Sequence, residues 1–272
     1  MERFLAEIYF KKTLITIETI AKSFPLVYHY TIIMEPKITL AVPAYNEEKY
    51  IGTCLEHAIK NSDGGFFEIL VIDNASTDKT AEVAGKFPGV RIVREEKKGL
   101  TRARQRAFEE MRGDILAFVD ADTQMPNGWC KMVRNEFTKN PKLAALSGPY
   151  VYYDIPKFRQ FLVKFYWYFL GLPVYFILRY MVVGGNFAIR KSTLEKMGGF
   201  DTAIEFYGED TNVARRAHAF GQVKFSMKFV MYTSGRRLAG QGMLKTSLLY
   251  MSNYVSEAIF HKPTTQKYSD IR

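Results

Sequence analysis

Between residues 38 and 119 the chain alternates apolar runs of strand length with amphipathic stretches of helix length. The runs are 38–42, 67–72, 90–93 and 115–119, and the helical stretches are 47–61, 78–86 and 100–111. Parallel strands covered on both faces read as continuous apolar runs, and right-handed crossovers supply the helices between them. The order therefore predicts an α/β fold, with a mostly parallel central sheet flanked by helices. Ligands of such sheets bind outside the carboxyl ends of the strands, where the strand order reverses.

Three of those ends are polar. The first strand runs into Pro43-Ala44-Tyr45-Asn46-Glu47, the second into Asp73-Asn74-Ala75-Ser76-Thr77-Asp78, and the fourth into Asp120-Ala121-Asp122. An apolar strand cannot carry two carboxylates in its core, so Asp120 and Asp122 must emerge where it ends. Strand alternation sends them to the same side. Two carboxylates on one face suit a hard divalent cation and the phosphates it carries. Hard oxygen ligands favour Mg²⁺ or Mn²⁺ over zinc. Asp73 can accept a hydrogen bond from a base or ribose. Pro43 removes a backbone donor and pre-sets the turn, and Tyr45 offers a flat face for a base. These parts describe a site for a nucleoside diphosphate, whose departing β-phosphate a bound cation would stabilise.

The second half is less regular. Residues 143–153 look like a strand carrying Gly148-Pro149, 186–190 like a short strand, 208–220 like a helix, 223–225 and 229–232 like late strands, and 244–260 like a final helix before a mobile tail. Residues 94–106 are densely basic, which is either the solvated face of a helix or a donor contact. Arg102, near the start of the helix that opens after Gly99, is the residue placed to make it. Glu209-Asp210 is a second acidic pair. It can supply a general base for an incoming hydroxyl or cap the helix that follows. The formal net charge of +10 favours an anionic partner. Cys54 and Cys130 have no metal or redox spacing and read as core residues of a reducing compartment. Residues 1–35 look like a helical leader with Phe4, Ile8, Ile15 and Phe24 loosely at helical spacing; a natural start at Met34 is the alternative. Charges at Glu7, Lys11, Lys12, Glu18 and Lys22 break any secretory core, so the cytoplasm is the default.

Taken in order, Val42-Pro43-Ala44-Tyr45-Asn46-Glu47-Glu48, Val71 to Asp78, Val119-Asp120-Ala121-Asp122 and Gly208-Glu209-Asp210 resemble the family-2 glycosyltransferases of the GT-A fold over residues 38–232. The resemblance implies a Rossmann-like catalytic domain at 36–237, with a nucleotide-binding half at 36–122 and an acceptor half at 123–237, followed by a C-terminal helix and tail. It implies donor contacts at Pro43, Ala44, Tyr45, Glu47, Asp73, Asn74, Asp120 and Ala121, metal ligation by Asp122 with Asp120, and Asp210 as the base beside Glu209. The Gly184-Gly185-Asn186 turn resembles the segment that lines the sugar and acceptor pocket, which brings in Gly185 and Asn186. Some GT-A enzymes add a C-terminal histidine to the metal site, a position open to His261. The chain lacks the Q-x-x-R-W motif of processive members and carries Thr233-Ser234-Gly235-Arg236-Arg237 instead. Arg236 or Arg237 could then close on the diphosphate, unless the segment is a surface turn. The implied activity is inverting transfer of a single sugar from a UDP- or GDP-type donor to a hydroxyl acceptor, in cell-envelope glycan or glycolipid synthesis.

Residues 158–183 approach the length of a membrane span, but Lys164 and Arg179 lie inside and Gly171-Leu172-Pro173 interrupts them. A span would also split the catalytic domain across the bilayer. The stretch reads as an interfacial element or as a core helix pair. The interfacial alternative suits a lipid-linked acceptor and peripheral contact with an anionic leaflet on the cytoplasmic side. Two rivals stand beside the transferase. A sugar nucleotidyltransferase would carry a Gly-rich phosphate loop after the first strand, and this chain does not. A basic membrane- or nucleic-acid-binding module accounts for the charge but not for acidic clusters at strand ends, so nucleic acid is not an expected partner.

Overall fold

A computed structural model describes residues 35–265. The expected helical leader, with its alternative start at Met34, and the end of the expected tail lie outside those residues. The apolar runs become β1 (Ile38–Ala44), β2 (Glu68–Asp73), β3 (Val90–Arg94) and β4 (Ile115–Val119), paired in parallel in the order β3-β2-β1-β4. Their continuous hydrophobicity has a direct cause, because both faces are covered. Ile38, Leu40 and Val42 pack with Ile51, Cys54 and Leu55 of α1 (Ile51–Asn61) on one face. Ala41, Leu116 and Phe118 pack with Ala103 and Ala107 of α3 (Leu100–Glu110) on the other. The short α2 (Thr80–Ala84) joins the first of these cores through Ala84. Strand order reverses between β1 and β4, so the ends of these two strands flank the switch point.

Beyond β4 the sheet continues with β8 (Asn186–Arg190), antiparallel to both β4 and β6 (Leu143–Ser147), and ends with β9 (Gln222–Phe225) parallel to β6. The expected nucleotide and acceptor halves thus share one sheet. The single strand expected over 143–153 is two strands. It breaks at Gly148-Pro149, where the backbone passes so close to its neighbours that a Cβ on Gly148 would lie 2.0 Å from the Phe229 carbonyl oxygen. After the break, β7 (Tyr150–Tyr152) enters a second sheet with β5 (Thr123–Gln124) and β10 (Met231–Thr233), ordered β5-β10-β7. Helices α4 (Trp129–Lys139), α6 (Lys191–Met197) and α8 (Arg236–Gln241) fill connections that the sequence reading left unassigned. The final helix, α9 (Met243–Phe260), packs on α7 (Glu209–His218): buried Glu257 accepts from Asn212 Nδ2 at 3.0 Å and from Arg215 Nη2 at 3.1 Å.

The aromatic stretch is one continuous helix, α5 (Lys157–Leu178), and not a pair. Gly171-Leu172-Pro173 does not break it because the turn Trp167–Gly171 is π-helical. The wider turn relieves the clash that the Pro173 ring would otherwise make with the carbonyl four residues back, which lies inside that turn. The core reading also fails, because only 6% of its most apolar window is buried. By length and composition α5 could cross a membrane. The chain before and after it, however, returns to one place: the Val183 N–H donates to Ser147 Oγ at 2.9 Å, and Asn186 Nδ2 donates to the Gly148 carbonyl at 3.0 Å. A crossing would need irregular backbone to come back through hydrocarbon, which lipid does not tolerate.

Candidate active site

Short polar side chains lace the strand-end loops together. Asn46 holds a left-handed φ of 53°, and its Oδ1 accepts from the Thr77 N–H at 2.8 Å. The Asn46 N–H donates to Ser76 Oγ at 3.0 Å, and the Glu47 N–H donates to Thr80 Oγ1 at 2.7 Å. Asn74 adds a third loop, accepting from the Gly99 N–H at 2.8 Å and donating to the Lys97 carbonyl at 2.8 Å. Backbone groups that leave the sheet ladder need such partners, so Asn, Ser and Thr crowd these turns for a structural reason as well as a chemical one.

The laced loops form one end of a cavity of about 850 Å³. Of the residues singled out in the sequence, Pro43, Ala44, Tyr45, Glu47, Asn74, Asp120, Ala121, Asp122, Gly185, Glu209, Asp210, Arg236 and Arg237 all line it. Lys98 Nζ lies 3.9 Å from the Tyr45 ring centre and covers one face of the ring that a base would stack on. Four residues stand elsewhere. Asp73 is buried at the end of β2, where it accepts from Arg94 Nη1 at 2.6 Å and from the Ser76 N–H at 3.2 Å. Asn186 is fully buried and spends its side chain on structure: it accepts from Trp129 Nε1 at 2.9 Å and donates to the Gly148 and Phe229 carbonyls at 3.0 and 2.7 Å. Arg102 is corrected to Arg104. Leu100, Ala103, Arg104 and Ala107 follow the i, i+3, i+4, i+7 spacing of one helical face, the last three are buried, and Arg104 lines the cavity while Arg102 does not. A cation on an otherwise apolar helical stripe was the available signal. His261 caps the end of α9 with φ 59° and does not line the cavity either.

Asp120 and Asp122 face the cavity from the end of β4. Asp120 Oδ2 accepts from the Tyr150 hydroxyl at 2.6 Å. Gly185 makes this approach possible: a Cβ there would lie 2.1 Å from that hydroxyl and 2.2 Å from Asp120 Oδ2. Gly185→Ala should therefore displace Asp120 and lower turnover at least about tenfold, on the scale of sub-ångström misplacement of a reacting group; steady-state kinetics at unchanged melting temperature would check it, and wild-type turnover would remove Asp120 from the site. Asp122 Oδ2 lies 2.9 Å from Arg236 Nε. Burial raises the Asp122 carboxyl to about 7, with Asp120 and Glu47 adding to the rise and Arg236 opposing it. Arg236 also forks onto Glu47, donating from Nη1 at 2.9 Å and Nη2 at 2.6 Å, with its guanidinium 4.7 Å from the Tyr50 ring centre. The second sheet causes this meeting. Thr233 pairs with Thr123 directly after Asp122, which brings the following Arg236 across the cavity mouth.

The start of α7 also lines the cavity. Gly208 is its N-cap, with φ 79°, so neither carboxylate caps the helix from the N-cap position. Asp210 Oδ1 accepts from the Thr211 N–H at 2.8 Å. Burial holds the Asp210 carboxyl above the usual range. Glu209 is pushed up to about 7 by burial, against the pull of Arg104. Arg104 is 1% exposed, bonds Glu209 through Nη1, and donates from Nη2 to the Gly184 carbonyl at 2.6 Å. Its guanidinium lies 5.6 and 5.4 Å from the Phe118 and Phe187 ring centres. Burial alone would lower its pKa, but the Glu209 and Asp120 carboxylates raise it, so it stays charged. One buried cation thus ties the turn before Gly185 to the start of α7.

Residues 39–198 match the profile of the family described as glycosyl transferase family 2. A dolichol-phosphate mannosyltransferase of Pyrococcus furiosus is 34% identical over 94 residues, covering 33% of this chain and 27% of that protein. The matched stretches span between 20% and 29% of the first three curated relatives. Among solved structures, the mannosyltransferase PcManGT from Pyrobaculum calidifontis, in complex with GDP-Man and Mn²⁺, superposes with a TM-score of 0.62 at 21% identity, over 83% of this chain and 65% of that one. Glucosyl-3-phosphoglycerate synthase from Mycobacterium tuberculosis, in complex with Mn²⁺, UDP and phosphoglyceric acid, gives 0.59 at 18% identity, over 82% of this chain and 79% of that one. These likenesses establish the GT-A fold.

Proposed function

As the chain belongs to glycosyl transferase family 2, we propose that it transfers a single sugar, with inversion, from a UDP- or GDP-type donor to a hydroxyl acceptor. The observation that carries this reading is the convergence of Asp122 and Asp210 on one cavity, from a strand-end and a helix-start position. Two acids so placed can serve the leaving group and the nucleophile separately.

The donor set fits a hard divalent cation. Asp120 and Asp122 offer carboxylate oxygens at the cavity wall, and no group of three or more His, Cys, Asp or Glu ligands forms among the described residues. The protein thus supplies one or two carboxylates and leaves other positions to phosphate and water, the arrangement Mg²⁺ prefers. Mn²⁺ or Mg²⁺ would be held by Asp122 with Asp120, and when bound it neutralises charge on the diphosphate. Relatives of this fold carry Mn²⁺ or Mg²⁺ with nucleotide, which supports the assignment. Arg236 must give up its bond to Asp122 as the donor arrives, and the diphosphate is its natural next partner.

The reaction balances on the chain's own residues. Asp210 accepts the proton of the acceptor hydroxyl. The acceptor oxygen forms a bond to the anomeric carbon from the face opposite the phosphate. The bond from that carbon to the phosphate oxygen breaks, and its electron pair leaves with the nucleoside diphosphate. The reading includes a cell-envelope glycan or glycolipid as product and peripheral contact with an anionic leaflet. Chelation with EDTA should abolish turnover, and excess Mn²⁺ or Mg²⁺ should restore it. A panel of nucleoside-diphosphate sugars with Mn²⁺ should raise the melting temperature for one base class. Turnover indifferent to EDTA removes the cation, and a flat panel removes the donor class.

A further inference from the structure

The cavity extends past its polar end. Beyond Asp210 it runs between α5 and α9, walled by Leu162, Tyr166, Leu170 and Val174 from one helix and Met251 and Tyr254 from the other. The α5 residues recur every fourth position, which keeps them on one face of a helix. The Tyr254 hydroxyl is buried and has no hydrogen-bond partner among the described residues, and Tyr166, Thr246, Ser247 and Tyr250 also line this stretch, so the mainly apolar wall offers hydroxyls to a guest.

The other side of α5 is apolar too, and bare. Phe161, Phe169 and Ile177 are 62%, 63% and 78% exposed. From Phe165 to Leu178 the helix carries no charge; a helical stretch apolar all round belongs in a core or against lipid, and α5 is not in the core. Its charges are one-signed: no Asp or Glu occurs from residue 155 to 194, whereas Lys157, Arg159 and Lys164 in its first half and Arg179 just past its end are all exposed. Trp and Tyr beside snorkelling cations are the composition of a bilayer interface. Leu170 both lines the cavity and is 49% exposed, so the apolar slot opens beside the bare face.

We propose that the slot between α5 and α9 holds the hydrocarbon chain of an amphiphilic acceptor whose hydroxyl meets Asp210, and that the cationic apolar face of α5 rests on the anionic bilayer supplying it. The inference rests on the glycosyltransferase reading and names the acceptor class within it. A water-borne glycan would leave this wall hydrated beside the reacting centre. A lipid-borne acceptor covers the wall and enters sideways from the surface on which α5 lies.

Trp167 lines the slot, whereas Trp129, the other tryptophan, is 2% exposed in the core. Bromine carried into the slot therefore quenches Trp167. The full chain is titrated with 12-bromododecan-1-ol and 6-bromohexan-1-ol below aggregation. The longer chain should quench saturably at a concentration at least about tenfold lower, since each added methylene favours apolar burial. Leu162→Asp and Val174→Phe, which leave Trp167 the sole tryptophan of the slot, should each abolish this quenching while keeping the donor-induced thermal shift, which also reports that they fold. Equal quenching by both chains, or unsaturable quenching unchanged in both variants, overturns the slot. In flotation with phosphatidylcholine–phosphatidylglycerol vesicles the full chain should float, and Phe161→Asp with Phe165→Asp should not. Flotation unaffected by that pair, or a dimer that does not float, overturns the docking face. A flat nucleotide-sugar panel beside intact chain-length-dependent quenching would instead sink the transferase reading alone.

Discussion

Asp210→Asn is expected to lower the rate of sugar transfer by ~10²–10⁴-fold, the usual contribution of a positioned general base, while the donor-induced rise in melting temperature with Mn²⁺ stays. The amide keeps the shape of the side chain and can still accept from the Thr211 N–H, so the start of α7 should not move. What it loses is the capacity to take a proton. Burial raises the Asp210 carboxyl above the ordinary aspartate value, which fixes the sign of the pH dependence. The base works only when ionised, so activity should fall as pH drops through a pKa above the ordinary aspartate range. That acid limb should vanish from the residual activity of the variant. Transfer near the wild-type rate with donor binding intact would remove Asp210 as the base. An acid limb that persists in the variant would assign the titration to another group.

Arg104→Met is expected to cost about 3–5 kcal/mol of stability, because it leaves the Glu209 carboxylate buried without its cation. The methionine fills much of the space between the Phe118 and Phe187 rings, so the loss reports charge more than volume. Glu209→Gln in the same background should recover part of the loss, since it removes the stranded charge. Turnover should fall in both variants, because the Gly184 carbonyl loses the donor that ties it to α7. Urea denaturation of the two variants and the wild type measures this. A single-variant loss under about 1 kcal/mol, within the range of an exposed ion pair, would sink the argument.

Much of the site was legible because its parts obey local rules. Asp120 and Asp122 had to leave an apolar strand where it ended, and they do so at a switch point of the sheet. The choice between Arg102 and Arg104 was also within reach, since only Arg104 shares the inward stripe with Leu100, Ala103 and Ala107. Asn186 misleads for a different reason. A glycine-rich turn can present the next residue to a cavity or bury it beneath one, and only the crowding around Gly148 and Trp129 decides for burial. The break expected at Gly171-Leu172-Pro173 failed because a π-helical turn absorbs proline, a state that periodicity does not encode.

Local pattern alone carries the α/β order, the strand ends that face the cavity and the residue types gathered there, because strand alternation, helical period and the cost of burying charge all act within a few residues. Packing of remote segments is what brings Arg236 to Glu47 across 189 positions and to Asp122 as well, makes Arg104 the buried cation, and leaves α5 bare on one face while it lines the cavity with the other. These depend on which surfaces remain uncovered once remote segments have packed, and no local pattern carries the distances between them.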